Sequence, residues 1–330
     1  MPTTVFSLAN LTAALEAELT NDFIDERPFL DIMKRKGRVK KKAGDQFSID
    51  FNTNPPDVKS YGAGSTFVAS QKGENVRATF GWGALYLDDK EFGWDIENQG
   101  TPGRIDSGAV RNLVTTRTSM MKDAFFLRAN TRLWQSGGVA YNSGEGVGPL
   151  GVEDAVRTSP STGTYGGLSA VTYSNIRSQQ ISGTAGPSTD WDSDCWERLL
   201  TLRVTCMYGK TWNNPIRPKL AFCNRSNYIE IINLAYTQNT NVGVTVDDLV
   251  SVGGIMPQIN DAQDASTVYL LAPETWNLYY PVGRRELIEL EVRQNLEEQI
   301  NPKDTVLLMT MKCQLVCEFL RPNGMITNAA

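Results

Sequence analysis

The sequence predicts an α+β chain in which extended pieces surround a smaller α/β unit. Three observations predict it. A narrow helical stripe and a dense basic run open the chain. A long span of period-two alternation follows. A helix of roughly 30 residues, free of internal proline or glycine after Gly108, then precedes short alternating strands and helices.

Residues 1–44 read as an arm. Leu8, Leu11, Leu15 and Leu19 share one helical face. Arg27-Pro28 interrupts it, because the residue before proline avoids the helical region. Lys34, Arg35, Lys36, Arg38, Lys40, Lys41 and Lys42 then place seven cations in nine positions. The whole chain carries a net charge of −5, so the remainder is more acidic than the whole. Gly37 and Val39 argue against a plain disordered tail. The run is expected to face either phosphates or an acidic surface on a neighbouring subunit.

Residues 45–93 read as a long hairpin. Phe47, Ile49 and Phe51 alternate with polar residues, as do Val76, Ala78, Phe80, Trp82, Ala84 and Tyr86 with polar or small ones. Between them lies a polar connection with Pro55-Pro56 and Gly62-Ala63-Gly64, of a length that usually orders against a partner. Within 94–189, residues 104–136 form one helix of about 45 Å, a spine, stopped by Gly137-Gly138. Residues 137–190 are turn-rich.

The α/β unit occupies 190–290. A helix runs from Asp190-Trp191 to about Tyr208 and a buried strand over Lys219 to Cys223. A second helix over Arg225 to Leu234 is capped by Asn224, and short strands lie at 250–255 and 268–271. Residues 291–330 return as strands. The clearest has Met309, Met311, Cys313, Leu315, Cys317 and Phe319 on one face.

Composition removes several chemistries. The chain has 330 residues and no histidine, which excludes Ser-His-Asp and Cys-His catalysis and histidine-based zinc sites. No stretch approaches the roughly 18–20 apolar residues of a membrane span, and no secretory signal is visible. Cys195, Cys206, Cys223, Cys313 and Cys317 are odd in number and lack a CxxC spacing, so they read as reduced core thiols of a cytosolic compartment. Gly209-Lys210-Thr211 ends like a phosphate loop, but the required earlier glycine is Val204. Asp88, Asp89 and Glu91, and Asp190, Asp192 and Asp194, could pair as acid and base, yet neither set completes a cation loop. Asn224-Arg225-Ser226 reads as a helix cap. No catalytic residue, cofactor or metal is expected.

Several segments, in this order, resemble the major capsid protein of tailed double-stranded DNA bacteriophages, the Hong-Kong-97-like fold. Arg27-Pro28-Phe29-Leu30 with Gly37 and the basic run resembles its N-terminal arm. Phe47 to Leu87 is similar to its extended loop. Gly148-Pro149-Leu150-Gly151-Val152 and Tyr165-Gly166-Gly167-Leu168 resemble the segment after its spine helix. Asp190-Trp191, Lys219-Leu220-Ala221-Phe222-Cys223, Asn224 to Ile231 and Gly253-Gly254-Ile255-Met256-Pro257 resemble its axial domain. Val268-Tyr269-Leu270-Leu271, the strand over 305–320 and Arg321-Pro322-Asn323-Gly324 resemble its closing strands.

The resemblance implies an N-terminal arm, an extended β-hairpin loop, a peripheral domain with the spine helix, an axial α/β domain and strands returning to the peripheral domain. It implies hexamers and pentamers tiling an icosahedral shell around packaged DNA, with portal, scaffold and decoration proteins as partners. DNA contact would be weak and non-specific, with no membrane involved. The chain would be found in the virion after assembly in the host cytoplasm. Arg27, Pro28, Phe29, Pro55, Pro56, Tyr61 and Lys72 become expected subunit contacts. An encapsulin-type nanocompartment shell is the alternative. A hydrolase using Asp88, Asp89 or Asp192 ranks below both.

Overall fold

Leucine spacing and one proline corner build the N-terminal region. The computed structural model describes residues 8–52, 75–89, 107–135, 148–182, 191–209, 215–238, 254–263, 266–294 and 305–327. Helix α1 (Leu8–Asp25) is followed by α2 (Pro28–Arg35), with Pro28 in the first turn where its missing N–H costs nothing. The chain gathers into two compact units, each drawn from three segments: 1–44, 82–151 and 278–315, then 45–81, 152–277 and 316–330. The divisions expected along the sequence follow chain order, whereas these units do not.

In the first unit, a five-stranded sheet runs in the order β1 (Val39–Lys42), β13 (Trp276–Pro281), β15 (Thr305–Cys317) and β14 (Ile288–Gln294). Strand β4 (Gly83–Asp89) also pairs with β15. β1 runs parallel to β13, with Val39 opposite Leu278; β4 and β14 are antiparallel to β15. The spine helix is α3 (Ser107–Trp134), 28 residues and about 42 Å long. The leucine stripe of α1 does not wait for a neighbour. Leu11, Leu19, Phe23 and Ile24 are buried, and Phe23 meets Phe126 of α3 edge-on at 5.2 Å.

The expected single hairpin is corrected. β2 (Gln46–Asn52) pairs antiparallel with β3 (Asn75–Gly81) in the second unit, Phe47 opposite Phe80. The alternation does not continue through Tyr86. It breaks at Trp82, whose indole N–H donates to the Gly44 carbonyl at 2.6 Å. Beyond the break the buried parity shifts by one residue: Gly83 is buried and Tyr86 is 74% exposed. β4 then pairs with β15, Tyr86 opposite Thr310. Period two identifies two faces but not the strand that pairs with them, so a one-residue slip goes unseen. Gly83 is required here, because a Cβ would collide with the backbone of Pro149.

In the second unit, α5 (Trp191–Cys206) and α6 (Arg225–Gln238) pack on a mixed sheet. Its order is β11 (Met256–Ile259), β10 (Leu220–Cys223), β12 (Thr267–Leu271), β16 (Gly324–Thr327) and β7 (Gln179–Ser182). β10 with β11 and β16 with β7 are parallel; the other two pairings are antiparallel. Trp196, Leu199, Leu202, Ile231, Leu270 and Ile326 form the core. The Asn224 side chain accepts the Asn227 N–H at 2.9 Å, the cap its position predicts. The strand expected at 250–255 falls mostly outside the described residues, and the described strand starts at Met256. Short elements complete the unit: α4 (Val152–Ala155), the pair β5 (Thr164–Tyr165) and β6 (Leu168–Ser169), and the pair β8 (Tyr208–Gly209) and β9 (Pro215–Ile216).

Candidate assembly surfaces

Arg27 closes the α1–α2 corner from inside. Its guanidinium donates to the carbonyls of Phe23 at 3.0 Å and Phe126 at 3.2 Å, and lies 4.4 Å and 5.2 Å from the centres of those two rings. Burial pulls its pKa below the usual arginine value, with the Glu26 carboxylate at 3.4 Å acting against the shift. Phe29 is 4% exposed and packs on Trp134 at 5.8 Å. Within its own chain Phe29 therefore leaves little surface for the neighbouring subunit that the sequence led us to expect beside it. Pro28 serves as the helix start. Pro55, Pro56, Tyr61 and Lys72 lie outside the described residues.

The basic run is structured and divided. Gly37, at φ +64°, ends α2: its N–H donates to Lys34 O at 2.9 Å and the Arg38 N–H donates to Met33 O at 2.8 Å, a Schellman motif. Lys34 and Arg35 sit in the last helical turn, where cations suit the dipole. Lys34 pairs with Asp25 at 2.7 Å and Arg35 with Asp31 at 2.6 Å. Past the glycine the run becomes β1. Lys41 donates to Arg285 O at 2.8 Å and lies over Tyr280, while Lys42 lies over Tyr279. Arg38 is half-buried and its carbonyl accepts the Leu278 N–H, while Lys36 and Lys40 stand exposed. The outward charge is therefore smaller than seven adjacent cations suggest.

Sequence reasoning missed an apolar outer face on α5. Leu199, Leu202 and Cys206 point into the core, yet Leu200 and Val204 are exposed at i and i+4, Val204 at 67%, and Met207 is exposed just past the helix end. The signal was present, because a surface helix apolar on two faces has more apolar residues than its core needs. On α3, Met120 and Leu127 are exposed one heptad apart.

Asp89 lies 3.6 Å from Arg117, Asp88 is exposed on β4, and Glu91 and Asp190 fall outside the described residues. No cluster of three or more metal-ligating carboxylates or thiols occurs among the described residues. All five cysteines are buried, and none is joined in a disulfide. Burial pushes the thiols of Cys206, Cys223, Cys313 and Cys317 up to about 12.

The fold can be set beside known proteins. No protein-family model and no curated protein sequence matches the chain. Among solved structures, the capsid asymmetric unit of cyanophage A-1(L) matches with a TM-score of 0.61 at 18% identity, covering 88% of this chain and 90% of that one. The capsid of the native GTA particle matches at 0.55 and 8% identity, covering 90% of each. The holo-SrpI encapsulin complex from Synechococcus elongatus PCC 7942 matches at 0.51 and 11% identity, covering 92% of this chain and 88% of that one. The chain has the Hong-Kong-97-like fold of these shells, nearly from end to end.

Proposed function

We propose that the chain is a major capsid protein, a structural subunit that assembles with copies of itself into hexamers and pentamers of an icosahedral shell enclosing double-stranded DNA. End-to-end correspondence with the cyanophage capsid subunit carries this reading. Exposed apolar residues on α5 and α3 support it, because a monomer gains nothing from leaving Val204 and Leu127 in water. Adhesion to DNA is weak and non-specific: the net charge is −5, and several cations of the basic run are engaged within the chain. Portal, scaffold and decoration proteins are the partners such a shell needs, and assembly takes place in the host cytoplasm.

The match to an encapsulin complex keeps a second shell reading open, that of a cellular nanocompartment. The test is to express the chain alone and with candidate scaffold proteins, then analyse it by sedimentation and electron microscopy. Closed particles or shell-like sheets support a shell. Nuclease-protected DNA after packaging supports the capsid, whereas spontaneous closure around protein cargo supports the nanocompartment.

A further inference from the structure

Helix α1 covers a sheet edge with side chains instead of with a strand. β14 is the terminal strand of its sheet, and Ile288 and Leu290, two residues apart, direct their N–H groups the same way. The Ile288 N–H donates to Thr20 Oγ1 at 3.1 Å, and the Leu290 N–H donates to Glu16 Oε1 at 3.0 Å. Thr20 and Glu16 are one turn apart on α1, and both are buried.

Glu16 is the anomalous member. It is 5% exposed, and its second oxygen, Oε2, is buried with no hydrogen-bond partner among the described residues. A carboxylate in that position is desolvated and half satisfied, whereas the neutral acid still accepts from Leu290 and carries no charge. The surrounding charges favour the acid. Glu289 on β14 and Glu286 just before it oppose ionisation, whereas the Leu290 N–H and the Arg285 charge favour it. Other cations packed on α1 are engaged further along the helix: Lys122 of α3 with Asp22, and Lys34 of α2 with Asp25. Desolvation is the largest cause holding the Glu16 pKa above its ordinary 4.5, and the Leu290 N–H works against it.

We propose that α1 is an acid-tightened cover on the outer edge of β14: Glu16 closes the edge as the neutral acid, and its ionisation loosens the helix. The sign follows from linkage. A carboxyl with a raised pKa in the closed state stabilises closure fully below about 4.5 and loses that contribution as pH rises through its raised value. With α1 displaced, the β14 edge presents unpaired N–H groups open to strand addition. The device belongs to the isolated chain and does not depend on the shell reading.

Hydrogen exchange of the full, unassembled chain between pH 4.5 and 8 tests it, read on peptides containing Ile288 and Leu290 and corrected for intrinsic rates. The opening constant of these amides should rise up to tenfold per pH unit above about 4.5 and then level off. Glu16→Gln, which mimics the neutral acid, should flatten the profile and protect both amides at neutral pH. Glu286→Gln removes a repelling charge, so the rise should end at lower pH and be smaller. A flat wild-type profile, or a Gln variant at position 16 that opens like wild type, would overturn the proposal. If that variant does not fold, a Glu286→Gln profile superimposable on wild type overturns it instead.

Discussion

Asn323 Oδ1 accepts the indole N–H of Trp276 at 2.9 Å, and both residues are fully buried. The same oxygen accepts the Ala272 N–H at 2.8 Å. The amide nitrogen donates to Thr275 Oγ1 at 2.9 Å and to the Phe319 carbonyl at 2.8 Å. One side chain thus satisfies four polar groups in the second unit. Asn323→Ala would leave two buried N–H donors without an acceptor and should cost on the order of 3 kcal/mol. Asn323→Asp loses the donor pair and buries a charge, and should be worse. Chemical denaturation followed by tryptophan fluorescence measures both.

The neighbouring Gly324 is fixed by close approach. A Cβ there would come 2.7 Å from Leu202 Cδ1, 2.9 Å from Cys206 Sγ and 2.9 Å from the Gln179 carbonyl. Gly324→Val should therefore separate β16 from α5 and lower the melting temperature by several degrees, more than Gly81→Val, where nothing lies within 4 Å.

Arg27 should not be replaceable by lysine. Lysine keeps the charge but cannot donate to two carbonyls while stacking on Phe23 and Phe126. Both Arg27→Lys and Arg27→Ala should destabilise the chain, by about 1–3 kcal/mol, with lysine recovering little. Equilibrium unfolding of the two variants provides the comparison.

The buried thiols set an alkaline limit. Unfolded thiols titrate near 9, whereas Cys206, Cys223, Cys313 and Cys317 are pushed up to about 12 when folded. Their contribution is intact below pH 9 and is lost as pH rises from there toward 12. Stability should fall over that window, and a thiol reagent at pH 8 should label the native chain far more slowly than the unfolded one.

Elements governed by local chemistry could be read from the sequence. Asn224 reads as a cap because its side chain serves an N–H three residues away. The spine helix reads because nothing in Ser107–Trp134 breaks it after Gly108. What the sequence hid was pairing. Trp82 lies within an unbroken alternation, yet the strand ends just before it at Gly81, and its indole bonds Gly44. Phe319 fits the pattern of β15, but the strand ends at Cys317 and Phe319 is 40% exposed. The strand Trp276–Pro281 was missed because its run is apolar around a buried Asn277, which gives no alternation to detect. Of the candidate contacts, Phe29 is consumed inside its own chain, while the outer face of α5 was unseen because Leu200 and Val204 merge with the core leucines beside them.

That outer face provides a test of assembly separate from folding. Val204→Asp and Leu200→Asp change exposed positions, so the melting temperature should move little. If α5 meets a neighbouring copy, each charge would be buried on assembly, and particle yield should fall at least tenfold.

Whether this chain builds a shell from copies of itself is decided by electron microscopy of the full chain expressed alone and with candidate scaffold proteins. Closed particles or curved sheets in which five-fold and six-fold clusters of one subunit can be resolved are the expected result. A monomer that stays dispersed after scaffold addition, yet binds a small ligand, would contradict it.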